Sequence, residues 1–98
     1  NNLYRVDSNR ESGHGRYDIQ LRPYDKKMPG IIIELKVLKD GIAEACIDTE
    51  LEVSAKEALA QIERRQYVTA MKQEGITHFF KIGGSFYKKR VKLLSDTE

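Results

Sequence analysis

The sequence predicts an α/β domain: a mixed β-sheet in which an antiparallel meander connects through one long crossover helix to further strands. Three observations predict it. Tyr17 to Arg22 alternates apolar and polar residues strictly, as a strand with one wet face does. Ile31 to Val37 is an apolar run bounded by turn residues. A helical stripe then passes through Ala58, Leu59, Ile62, Ala70 and Met71 before strand-like composition returns at Ile76. Three strands, a helix and two strands in that order call for a mixed sheet, with the helix crossing over one face.

The elements follow in chain order. Leu3 to Val6 reads as a short strand, and Asp7 to Gly15, with Ser8, Asn9, Ser12 and Gly13, as a polar loop. Tyr17, Ile19 and Leu21 share one face of the next strand; Asp18, Gln20 and Arg22 share the other. Residues 23 to 30 carry Pro23, Pro29 and Gly30 and turn the chain back. Ile31 to Val37 is apolar enough for a central strand covered on both faces. Residues 38 to 50 form a connection with a turn of helix around Ile42 to Cys46. Ser54 and Glu57 form a capping box, opening a helix of roughly twenty residues that Gly75 stops. Ile76 to Ile82 is a strand, Gly83-Gly84 a hairpin break, and Ser85 to Leu94 the last strand.

Length and composition bound the function. A chain of 98 residues supports one core, so residues 1–98 are expected to be a single domain. It opens on Asn1 and enters a strand at once, and is expected to be the C-terminal fragment of a longer protein. A net charge of +2 excludes a histone-like, purely electrostatic DNA binder. Cys46 is the lone cysteine, which excludes an internal disulfide and a thiolate zinc cage and favours a reducing, cytoplasmic location. No apolar run is long enough for a signal peptide or a membrane span, so no membrane partner is expected.

The chemistry lies in Asp18 and in Glu34-Leu35-Lys36. Strand period puts Glu34 and Lys36 on one face, and a hairpin centred near residue 26 sets Asp18 opposite Glu34. A shift of two residues would set Asp18 opposite Lys36 instead. Charged side chains within an isoleucine-rich strand break the pattern where burial penalises them. The bland alternative is a solvated Glu/Lys pair on an edge strand. Two carboxylates held together repel unless a cation lies between them, and oxygen-only ligation suits Mg²⁺ or Mn²⁺. Lys36 beside them can hold an attacking water or meet charge that builds on phosphorus. Gln61 borders the buried stripe of the helix and can reach the sheet edge.

Tyr17-Asp18-Ile19 followed by Ile33-Glu34-Leu35-Lys36 resembles the signature of PD-(D/E)XK, or restriction-endonuclease-like, phosphodiesterases. Glu11 to Asp18, Ala58 to Ile62 with Tyr67, and Ile82 to Phe86 are similar to the sub-family at the C-terminal end of bacterial AAA-ATPase-like proteins. The resemblance runs nearly from residue 4 to residue 93. It implies a restriction-endonuclease-like core and Mg²⁺-dependent hydrolysis of nucleic-acid phosphodiesters, with DNA expected as the substrate. It also implies an accessory role for Gln61 near the water or the nucleic acid, and an ATPase-like partner domain in the same full-length chain. The rival reading is a non-catalytic nucleic-acid-binding or interaction module that keeps the nuclease fold.

Other residues carry weaker signals. Gly13-His14-Gly15 is a turn, with contact to a nucleic-acid backbone as its functional alternative, and Arg16 beside it could make the same contact. Tyr67 is a packing residue whose hydroxyl is available to a polar cleft. Lys88-Lys89-Arg90 and Arg64-Arg65 are solvated faces unless they border that cleft, where Lys88 and Lys89 would meet nucleic acid. His78 is expected to be packed or capped, and Cys46 a small core residue.

Overall fold

Among the described residues, strand and helix periodicities and backbone pairing build five strands and two helices. The computed structural model describes residues 2–11 and 15–98, Glu11 by its backbone only. The elements are β1 (Tyr4–Glu11), β2 (Arg16–Pro23), β3 (Gly30–Val37), a 3-10 turn (Glu44–Cys46), α1 (Ile47–Arg64), α2 (Tyr67–Gln73), β4 (Phe79–Tyr87) and β5 (Arg90–Thr97). The sheet order is β1-β2-β3-β4-β5. β3 and β4 run parallel and every other neighbouring pair antiparallel, so the helical segment between β3 and β4 is the crossover. The predicted mixed sheet with a helix on one face is the fold observed.

Both helices lie on the face shared by Gly30, Ile32, Glu34 and Lys36. Ile32, Ile62, Val68, Met71, Ile76 and Phe79 form the main core there, with α1 spread over β3, β4 and β5. The β1–β2 part of that face carries polar side chains instead, among them Asn9, Arg16, Asp18 and Gln20. The result is a polar ledge beside the last turn of α1. On the reverse face Ile19, Leu21, Ile31, Ile33 and Leu35 are half-buried, and Phe80, Val91 and Leu93 are exposed. β3 is therefore central, as predicted, but among the described residues helices cover it on one face and not on both.

Several boundaries differ from the expectation. β1 continues through Glu11, because pairing with β2 (Asp7 with Gln20, Asn9 with Asp18) satisfies a backbone whose side chains read as loop. α1 begins at Ile47, so Ser54 is buried in mid-helix and caps nothing. Asp48 and Glu50 supply the negative charge that the first turn favours. The predicted single helix breaks at Gln66, whose φ of 58° is left-handed, and α2 starts on the far side.

Gly83-Gly84 is no turn; both lie inside β4, and the chain reverses at Lys88, whose φ is 54°. A Cβ on Gly83 would sit 2.5 Å from the Leu59 nitrogen and 2.6 Å from the Ala55 oxygen. The glycine is there so that the backbone of α1 can approach the sheet. Cys46 and His78 are exposed, contrary to their expected packing. His14, together with Ser12 and Gly13, lies outside the described residues.

Candidate active site

Asp18 and Glu34 are direct partners in the β2–β3 ladder, as a hairpin centred on residue 26 requires. Both are buried, 3% and 1% exposed, at the seam between the polar ledge and the helix-covered core. Two acids this deep need cations, and arginines provide them. Arg65 Nη1 lies 3.5 Å from Asp18 Oδ2, and Arg65 Nη2 lies 3.8 Å from Glu34 Oε1, so one guanidinium spans both carboxylates. Arg16, predicted to touch nucleic acid, stands beside them with Nη2 3.8 Å from the same Glu34 oxygen. Asn9 Nδ2 donates to Asp18 Oδ1 at 3.3 Å.

The helix break puts Arg65 there. α1 ends at Arg64, Arg65 closes it by donating its backbone N–H to Gln61 O, and left-handed Gln66 turns the chain into α2. Tyr67 thereby arrives next to the pair, its hydroxyl 3.4 Å from Arg65 Nη1. Burial pushes the Tyr67 phenol above its ordinary value; the Arg65 hydrogen bond opposes this and the Asp18 charge adds to it.

Glu57, Gln61 and Arg65 recur every four residues and form one helical stripe along the site. Lys36 shares the face of Glu34, and its Nζ donates to Glu57 Oε2 at 3.1 Å. Gln61 lies between these two contacts on the stripe, half-buried, with Oε1 accepting from Arg64 Nη2 at 2.7 Å. Lys88 and Lys89 stand apart, at the β4–β5 turn beside Tyr87, Ile42 and Glu44. Lys88 Nζ lies 5.4 Å from the centre of the Tyr87 ring.

A face-paired Asp and Glu-x-Lys on adjacent strands, followed by a crossover helix, agrees with comparison against known families. The sequence matches the PD-(D/E)XK nuclease superfamily over residues 1–95. This chain belongs to that superfamily. No curated protein and no solved structure matches it. Membership in the PD-(D/E)XK superfamily indicates a nuclease-type function with a nucleic-acid substrate, and nucleases of this superfamily generally use divalent metals. None of the described helices is long and apolar enough to cross a membrane.

The donor set fits such an ion. Asp18 Oδ2 and Glu34 Oε1 already flank one cationic group, and carboxylate oxygens are the hard donors that Mg²⁺ and Mn²⁺ prefer. Among the described residues no group of three or more His, Cys, Asp or Glu gathers at one point. Two carboxylates with water completing the shell is the sparse protein ligation typical of Mg²⁺.

Sequence reasoning missed Arg65, Glu57 and Asn9. By pattern alone Arg65 reads as a solvated face, Glu57 as half of a cap, and Asn9 as loop. The four-residue spacing of Glu57, Gln61 and Arg65 was the available signal for the first two.

Proposed function

We propose that this PD-(D/E)XK domain hydrolyses nucleic-acid phosphodiesters, DNA foremost, with Mg²⁺ or Mn²⁺ held by Asp18 and Glu34. The observation that carries the reading is the pair of buried, register-paired carboxylates beside the polar β1–β2 part of the helix-covered sheet face. Held by Asp18 and Glu34, such an ion would neutralise phosphoryl charge and make water a better nucleophile. The water oxygen then bonds to phosphorus, one phosphorus–oxygen ester bond breaks, and the proton the water gives up ends on the departing oxygen. Lys36 holds the attacking water or meets the charge growing on phosphorus. Gln61 assists from the helix stripe, and Arg16 and Tyr67 border the scissile group; Lys88 and Lys89, which stand apart at the β4–β5 turn, meet nucleic acid only where it runs beyond the cleft. The AAA-ATPase-associated sub-family, a C-terminal place in a longer cytoplasmic protein and an ATPase-like domain in that chain belong to the same reading.

One observation favours the rival, a non-catalytic nucleic-acid-binding module: a guanidinium already stands where the ion would. Lys36→Ala separates the two readings. In a plasmid-nicking assay with Mg²⁺ or Mn²⁺ the variant loses cleavage while retaining nucleic-acid binding, because the lysine acts on developing charge. Equal cleavage by variant and parent overturns the assigned role of Lys36. If the parent cuts nothing and gains no thermal stability from either ion, the non-catalytic module is the better account.

A further inference from the structure

We infer that Arg65 is the resident cation of the Asp18–Glu34 pair and that a divalent ion displaces it, so that loading the site releases a guanidinium toward the substrate. The inference rests on the metal-binding reading above and adds a regulatory step to it. Arg65 reaches one oxygen of each acid, so its guanidinium takes up the space that bridges the two carboxylates. An ion held by both acids needs that space, and its double charge repels a guanidinium within contact distance. The exchange leaves neither acid stranded, since the ion takes over both charges; Arg65 is the guanidinium that reaches both acids, whereas Arg16 touches Glu34 at its edge.

Arg65 is placed to move. It caps α1 at a break, and its side chain is 21% exposed while those of Asp18 and Glu34 are 3% and 1% exposed. Turning outward carries it along the polar ledge beside Tyr67 and Arg16, where a phosphodiester approaching the pair would lie. Arginine suits the second role as well as the first, because its planar fork matches both carboxylate and phosphate oxygens. Without an ion the guanidinium holds the two acids together; with one, it is available to bind. In the ion-free state Arg65 is therefore a positioning residue, acting through Asp18 and Glu34.

The test uses Mn²⁺ alone, by isothermal titration and by melting temperature with and without the ion. Arg65→Gln should melt lower than the parent without Mn²⁺, and the difference should shrink at saturation. Its affinity for Mn²⁺ should be about fivefold or more tighter, the lower range of a competitive coupling. Arg65→Lys keeps the charge without the fork and should fall between the two, which also covers a failure of the glutamine variant to fold. Equal or weaker Mn²⁺ binding by the variants than by a binding-competent parent overturns the exchange and leaves the metal site standing. No binding by parent or variant removes both, and Arg65 is then a permanent partner of the acids.

Discussion

Asp18 and Glu34 oppose each other in the β2–β3 ladder with the Arg65 guanidinium across their carboxylates, so the repulsion expected of two buried acids is already offset. Asp18→Asn leaves Glu34 to hold the arginines and should change metal-free stability by about 1 kcal/mol or less. Asp18→Asn combined with Glu34→Gln strands Arg65 and Arg16 beside neutral amides. It should cost about 3 kcal/mol, more than the sum of the single changes. Urea unfolding of the parent, the singles and the double measures that excess.

Gly83 and Gly84 should respond unequally to alanine. The new Cβ at Gly83 meets helix backbone at 2.5 Å and 2.6 Å, whereas at Gly84 it meets the ends of the Leu35 and Leu93 side chains at 2.7 Å and 2.8 Å. Backbone cannot give way, but leucine tips can. Gly83→Ala should cost about 3 kcal/mol or more and Gly84→Ala about 1 kcal/mol, read from thermal melts.

Ser54→Ala should leave stability within about 0.5 kcal/mol, since a residue inside α1 loses no cap and alanine is the better helix former. A true N-cap at that position would cost about 1 kcal/mol instead. Circular-dichroism melts distinguish the two.

Buried Lys81 carries a pH signature. Its ammonium group binds Glu63 and Glu98, and the Glu63 hydrogen bond, foremost, holds its pKa above the ordinary lysine value against the effect of burial. The stabilisation is complete below that ordinary value and disappears as pH rises through the raised folded one. Melting temperature should therefore fall on the alkaline side in the parent, and Lys81→Met should flatten that fall. Glu98 behaves oppositely. Lys72 first and Lys81 second lower its carboxyl, so its contribution is present above the ordinary carboxylate range and is lost as pH drops through the lowered value.

The acidic pair was legible in sequence because strands alternate strictly and a hairpin centred on residue 26 fixes which residues meet. Arg65 was not, because its position depends on a left-handed Gln66, and glutamine announces no such turn as Gly or Asn would. Gly83-Gly84 misled for a related reason: the same dipeptide serves a hairpin turn or a close helix–sheet approach, and the choice depends on a partner distant in sequence. β1 hid its length because its ladder bonds are made by backbone, whatever side chains it carries. The early start of α1 was obscured by a Ser-x-x-Glu that resembles a cap wherever it falls.

In β3 neighbouring positions belong to different worlds, with Glu34 among charges while Ile33 and Leu35 line an open apolar surface. The length of the turn from Tyr24 to Pro29 thus acts as a phase control. Removing one residue there would reverse the parity of β3 against β2, carry Glu34 to the apolar side and present Leu35 to Asp18. Drift at single positions leaves that arithmetic untouched, whereas an odd-numbered insertion or deletion in a loop remote from the acids would erase the pair at a stroke.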